Sequence, residues 1–136
     1  MHKIGIDLGG TKIEGIVLDK NNNTIDRKRI STNREEGYEA IINRISELGH
    51  ELLEKSISVK HICICTPGAL DPTIGVMKNS NTLCLIGEPL QKDLEKAFEL
   101  PVFMENDANC FALAESILGA AKGYGVVFGV IMGTGV

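Results

Sequence analysis

Three period-two runs stand within residues 3–31, separated by breaks too short for a crossover, and this feature constrains the fold more than any other. In Lys3 to Leu8, Ile4, Ile6 and Leu8 fall on one side and Lys3, Gly5 and Asp7 on the other, the alternation of a strand that ends at Gly9-Gly10. Lys12 to Asp19 puts Ile13, Gly15 and Val17 on one face and Glu14, Ile16 and Leu18 on the other, then breaks at Asn21-Asn22-Asn23. A third strand is expected over Thr24 to Ser31. Connections of two to five residues join only antiparallel neighbours, so the three runs predict a meander.

Beyond the meander the period changes. From Glu35 to Glu54, Tyr38, Ile41, Ile42, Ile45, Leu48 and Leu52 recur at three- and four-residue steps, the stripe of an amphipathic helix. Val59 to Thr66 reads as a buried strand, which a helical crossover would set parallel to the first, and Pro67-Gly68 stops it. Pro89 to Glu99 predicts a short helix with Pro89 in its first turn, followed by a strand over Val102 to Met104. A further helix is expected from Asp107 or Asn109 to Ala121, with Cys110, Leu113, Ala114, Ile117, Leu118 and Ala121 on one stripe and Gly123 closing it. Gly125 to Met132 reads as another apolar strand. Meander followed by helix–strand alternation specifies an α/β layer with a mixed central sheet.

Composition bounds the function. At 136 residues, 43% hydrophobic and 24% charged, the chain suits one domain with one substantial core. A net charge of -4 with dispersed basic residues offers no footprint for nucleic acid or an anionic membrane. No stretch has transmembrane length and the N-terminal residues do not resemble a secretory signal, so a cytoplasmic location is expected. Of Cys63, Cys65, Cys84 and Cys110, the first two sit in the apolar run His61-Ile62-Cys63-Ile64-Cys65, where cysteine is expected to act as a small buried hydrophobe. All four are read as reduced thiols, and no second Cys/His pair lies at zinc-ligand spacing.

Four segments carry candidate chemistry. In Asp7-Leu8-Gly9-Gly10-Thr11-Lys12 a strand-end carboxylate runs into two glycines, a hydroxyl and a cation. Gly9 and Gly10 let backbone amides approach a phosphate, Thr11 and Lys12 add donors, and Asp7 could hold Mg2+ directly or through water. The plain alternative is a β-hairpin turn; a Walker A loop is excluded because its spacing is absent. In Glu105-Asn106-Asp107-Ala108-Asn109, at a strand's carboxyl end and a helix start, Asp107 is suited to accept a proton, while both Asn106 and Asp107 are also good N-caps. Thr66-Pro67-Gly68-Ala69 and the loop Lys78-Asn79-Ser80-Asn81-Thr82 offer amides that match a sugar hydroxyl, or form an ordinary polar loop. Gly133-Thr134-Gly135, after an apolar run, is a second glycine turn that could face the same polyphosphate as the first.

Taken in order, Asp7-Leu8-Gly9-Gly10-Thr11-Lys12, Thr66-Pro67-Gly68, Glu105-Asn106-Asp107-Ala108-Asn109 and Gly133-Thr134-Gly135-Val136 resemble the ROK family of repressors, open reading frames and sugar kinases. The resemblance spans the whole chain. It implies a ribonuclease H-like lobe of the actin and hexokinase superfamily, ATP and Mg2+ as cofactors, and a hexose as substrate. It further implies Asp107 as catalytic base, Gly68, Asn81 and Asn106 as sugar contacts, Asp7 near the magnesium, and Gly9 to Lys12 with Gly133 to Gly135 as the two phosphate turns. The loop from Lys78 to Leu90, with Asn106 to Glu115, is most similar to the fructokinase and N-acetylglucosamine kinase branches. Many members have proline where Ser80 stands.

Family kinases continue for about another lobe, which would carry the adenine pocket and a Glu-x-Gly-His motif, so this chain is expected to be an N-terminal lobe and to be inactive alone. A homodimer is expected of the full-length form. Two other readings compete with an ATP-dependent hexose kinase. A sugar-responsive repressor of the same family would need a preceding helix-turn-helix, for which a first strand at Lys3 leaves no room. An ATPase lobe without sugar would not need Asn81 or the Asn106-Asp107 pair.

Overall fold

The computed structural model describes residues 1–132. The meander forms as its alternation requires: β1 (Lys3–Leu8) pairs antiparallel with β2 (Lys12–Leu18), and β2 pairs antiparallel with β3 (Thr24–Ser31). After α1 (Tyr38–Glu54), β4 (Ile62–Thr66) returns to lie parallel to β1, with Ile4 opposite Ile62 and Asp7 opposite Cys65. A small hairpin, β5 (Ala69–Leu70) with β6 (Met77–Lys78), precedes α2 (Leu90–Phe98). Then β7 (Val102–Asn106) adds parallel to β4, and α3 (Asp107–Leu118) follows it without a break. The result is a mixed five-stranded sheet in the order β3-β2-β1-β4-β7.

One face of this sheet makes the core. Ile4, Ile6 and Leu8 of β1, Ile13 and Val17 of β2, and Ile62 and Ile64 of β4 are buried against Ile41, Ile45, Leu48 and Leu52 of α1, with Leu90, Leu94 and Phe98 of α2 completing the layer. The other face carries Gly5, Asp7, Cys63, Cys65, Phe103 and Glu105 and is far more open. The cysteines therefore differ from expectation: Cys63 is exposed and Cys65 half-buried, because the strand's alternation spends its inward positions on Ile62, Ile64 and Thr66. At the outer edge β3 has no buried residue; Arg27 and Arg29 both pair with Glu14 of β2, Lys28 with Glu51, and Lys55 with Asp26.

Several boundaries move for identifiable reasons. Residues 34–36 form a separate 3-10 turn, and Gly37 at φ 89° starts α1 afresh, three residues later than Glu35. β4 begins at Ile62 rather than Val59, where its ladders to both β1 and β7 begin, with Ile62 opposite Ile4 and Val102. Pro89 is the residue before α2 rather than part of its first turn, and β7 runs on to Asn106 by pairing with Cys65 and Thr66. The two-residue strands β5 and β6 are too short to show any period and went unpredicted.

The chain after β7 departs most. α3 ends at Leu118, with Gly119 rather than Gly123 following it, and none of its residues is buried. Gly125 to Met132 forms no strand: apolar content favours burial, but a strand also needs a ladder, and these described residues have none. They run beside α3, enclosing an apolar hollow of about 520 Å³ with Phe111 and Ala112 on the helix side. Leu118, Val126, Phe128 and Met132 are 69%, 91%, 89% and 78% exposed. Large apolar side chains left this exposed favour association. The 136-residue chain is therefore expected to self-associate, and sedimentation velocity showing a single monomer across a wide concentration range would contradict this.

Candidate functional site

The parallel order β1-β4-β7 brings three strand ends to one edge, where Leu8, Thr66 and Asn106 lead into the glycine turn, the Pro67-Gly68 loop and α3. Ligands gather at such edges because the loops diverge there and leave backbone amides and helix starts facing a common space. Here that space is a cleft of about 610 Å³, lined by Gly9, Gly10 and Thr11 of the turn, by Pro67 and Asp107, and by Arg34, Asn81 and Thr82. Residues as far apart in the chain as Gly9, Asn81 and Asp107 thus meet. Among the described residues no helix is long and apolar enough to cross a membrane.

The glycine turn is held rigidly. Gly9 N–H donates to the Lys12 carbonyl at 2.9 Å, and a side chain on Gly9 would stand 2.9 Å from that same oxygen, closer than any Cβ is tolerated. Thr32, fully buried, donates its hydroxyl to the Gly9 carbonyl at 2.8 Å and its amide to the Thr11 carbonyl at 2.9 Å. The turn's carbonyls thus point away toward Thr32. Thr32 was not anticipated from sequence, since a lone threonine after an exposed strand gives no signal. The Lys12 side chain is exposed and does not line the cleft.

At the start of α3 the two capping candidates separate. Asn106 is the N-cap, its side-chain oxygen accepting from Ala108 N–H at 3.1 Å, while its amide donates to the Gly68 carbonyl at 3.1 Å. Asp107 is the first helical residue; one carboxylate oxygen accepts from Ala108 N–H at 2.7 Å and the group stays exposed to the cleft. Asn106 and Gly68 therefore form the frame behind the cleft wall rather than its lining. A Cβ on Gly68 would lie 2.7 Å from the Lys78 carbonyl and 2.9 Å from Ser80 Cβ, so glycine is what lets the two loops touch. Ser80, at 5% exposure, accepts from Thr82 N–H at 3.0 Å and so closes the loop that presents Asn81. Glu105, adjoining this frame, accepts from Asn106 N–H at 2.8 Å and from the Asn109 amide at 3.0 Å; those hydrogen bonds, Asn109's first, hold its carboxyl below the usual range.

Asp7 stands on the open face of the sheet near the end of β1, outside the cleft's lining. Burial, then the charges of Asp107 and Glu14, push its carboxyl above the usual aspartate range, against a smaller opposing effect of Arg29. The neighbouring Cys65 thiol is pushed well up, first by burial and then by its hydrogen bond to Cys110. Two carboxylates near enough to repel one another, Asp107 lining the cleft and Asp7 outside that lining, fit a hydrated Mg2+, which binds proteins through one or two carboxylates and takes its other ligands from water and phosphate. Asp7 and Asp107 are the residues that could serve it.

A stability consequence follows from the raised Asp7 value. A carboxyl that titrates higher folded than unfolded binds more protons in the folded state between the two values, so stability falls as pH rises through that window. With a chelator present, Asp7→Asn is expected to raise the melting temperature at pH 7 and to lose that advantage at acid pH, as thermal denaturation across a pH series would show. A variant less stable than the parent at neutral pH would contradict it. The second glycine turn, Gly133-Thr134-Gly135, lies outside the described residues.

Comparison with known proteins decides the family. The ROK family model matches residues 3–136. This chain belongs to the ROK family. It is 37% identical over 132 residues to an N-acetyl-D-glucosamine kinase of Yersinia pestis bv. Antiqua (strain Nepal516), covering 97% of this chain and 51% of that protein. Among solved structures, a ROK hexokinase from Thermus thermophilus superposes with a TM-score of 0.76 at 36% identity, over 90% of this chain and 41% of that one. A ROK family glucokinase from Streptomyces griseus, in complex with glucose and AMPPNP, gives 0.79 at 29% identity over 90% and 38%. The ROK chain in hand thus spans about half the length of its curated relative, and its mixed α/β sheet is the fold of ROK sugar kinases.

Proposed function

We propose that this chain is the N-terminal lobe of an ATP-dependent hexose kinase whose remaining half forms a second lobe. The observation that carries the reading is the cleft that joins the Gly9-Gly10-Thr11 turn to Asn81 and Asp107. Such a cleft brings together backbone amides suited to phosphate and a carboxylate, the two requirements for transferring a phosphoryl group to an alcohol.

In this reading Asn81 orients the sugar through its amide, and Asp107 takes the proton of the attacking hydroxyl. Asn106 and Gly68 act indirectly, fixing the start of α3 and hence the carboxylate's position. The glycine turn receives nucleotide phosphates on its amides. Mg2+, when bound, neutralises phosphate charge, and Asp7 would hold it through water. Catalysis of this kind rests on positioning and charge compensation more than on covalent chemistry. Relatives named for N-acetyl-D-glucosamine and glucose support a hexose or N-acetylhexosamine as acceptor. The test is a coupled ADP-release assay of the protein carrying both halves, run on N-acetylglucosamine, glucose and fructose. Turnover with none of the three, with ATP and Mg2+ saturating, would refute the reading.

A further inference from the structure

The cleft contains a cation that no family motif singled out. Arg34 belongs to the 3-10 turn at residues 34–36, and its carbonyl accepts from Gly37 N–H at 3.2 Å and from the Cys84 thiol at 3.7 Å, which ties the turn to the loop carrying Thr82. Its guanidinium swings over the glycine turn: Nη1 lies 3.5 Å from where a Cβ on Gly10 would stand. Thr82 Oγ1 approaches the same point to 3.6 Å. No carboxylate pairs with Arg34 among the described residues, whereas the nearby Arg44 is taken by Glu36. Thr82 is 1% exposed, and its hydroxyl has no hydrogen-bond partner among the described residues.

The chemistry of this corner selects its ligand. A guanidinium donates and never accepts, and the amides of Gly10 and Thr11 donate to no backbone carbonyl in the turn. A sugar hydroxyl wants donors and acceptors together, as Asn81 supplies; a corner built almost wholly of donors with one fixed positive charge matches an oxyanion. A buried hydroxyl left without a partner is costly and marks a place where a ligand is expected to complete the bonding. Among the described residues that line the cleft, Arg34 is the one cation and Asp107 the one anion.

We propose that Arg34 and Thr82, with the Gly9–Thr11 turn, form an oxyanion corner that holds a phosphate oxygen in this cleft. The inference deepens the kinase reading, on which the identity of the phosphate rests: it belongs either to the nucleotide's terminal phosphates or to the phosphorylated sugar. The geometry itself asks only for a phosphate.

The experiment is calorimetric titration of the 136-residue chain with inorganic pyrophosphate, for the nucleotide side, and with N-acetylglucosamine 6-phosphate, for the product side. Whichever probe binds the parent chain is repeated on Arg34→Gln, Arg34→Lys and Thr82→Val. Arg34→Gln is expected to weaken binding on the order of tenfold or more, the worth of one charge-assisted hydrogen bond. Arg34→Lys keeps the charge and recovers part of that loss. Thr82→Val, nearly the same shape, weakens binding while leaving the melting temperature unchanged or higher; a merely structural hydroxyl would instead lower it. Arg34→Gln binding as tightly as the parent overturns the proposal, and so does failure of both probes to bind the parent at millimolar concentration. Neither arm involves sugar turnover. A two-lobed protein that phosphorylates no hexose, yet shows Arg34-dependent pyrophosphate binding, refutes the kinase reading alone; normal phosphorylation with indifferent Arg34 variants refutes this inference alone.

Discussion

Asp107→Asn in the two-lobed protein should lower sugar phosphorylation by at least about a hundredfold while moving the melting temperature little. General-base assistance contributes roughly 100- to 10,000-fold, and asparagine cannot take the hydroxyl's proton. Stability should survive because Asp107 is not the cap of α3. Asn106 fills that position, and an asparagine at 107 can still accept the Ala108 N–H through its carbonyl oxygen. Loss of the charge removes a favourable helix-dipole interaction of about 0.3 to 1 kcal/mol, but it also relieves the repulsion that raises Asp7. The comparison belongs at saturating sugar, since in the proposed reading the carboxylate would also accept a hydrogen bond from the bound hydroxyl. Retention of more than about a tenth of parental turnover there, short of the general-base range, would show that the proton leaves by another route.

The second large effect concerns the chain by itself. With one of the two proposed lobes, the 136-residue chain should phosphorylate nothing at ordinary enzyme rates, roughly 1 to 1000 per second. The reason is entropic: holding sugar and nucleotide in register is worth up to about 7–11 kcal/mol of barrier, and one open lobe cannot hold both. A purified chain turning over in that range on glucose or N-acetylglucosamine would mean that the site is complete within these residues. Supplying the second half should restore the rate.

The legible parts of this protein are those where one local rule speaks alone. The alternation in β1 and β2 made the meander readable to within one residue, β2 ending at Leu18 rather than Asp19, and with it the position of Gly9-Gly10-Thr11, because a turn between two strong strands has nowhere else to go. Asp107 was readable for the same reason, being caught between a strand and a helix. Arg34 and Thr32 were not, since their positions depend on how the segment after β3 folds back across the turn. Gly37 interrupts a stripe that looked continuous from Glu35, and the period of α1 masked the separate 3-10 turn that aims Arg34.

Where burial and pairing part company, pattern reading misleads. Cys63 and Cys65 sit in an apolar run yet face the open side of the sheet, since a strand with only one covered face spends half its positions outside. The stripe on α3 is a true stripe, but none of it is buried. Gly125 to Met132 has strand composition and, among the described residues, no neighbour to form a ladder with. In each case the residue types report an affinity for apolar contact, and the contact depends on what lies across from them.

The charged rim at β3 has a consequence of a different kind. That edge strand is marked by ions, with Arg27, Lys28 and Arg29 projecting above and below it and paired to Glu14 and Glu51. Such a guard is as strong as the solvent allows. The reach of a surface charge shrinks from about 8 Å at physiological ionic strength to about 3 Å at 1 M salt, so the edge that is forbidding in dilute buffer becomes, in brine, a row of open hydrogen-bonding groups. Handling history, and not sequence alone, then decides whether this protein stays dispersed or begins to stack.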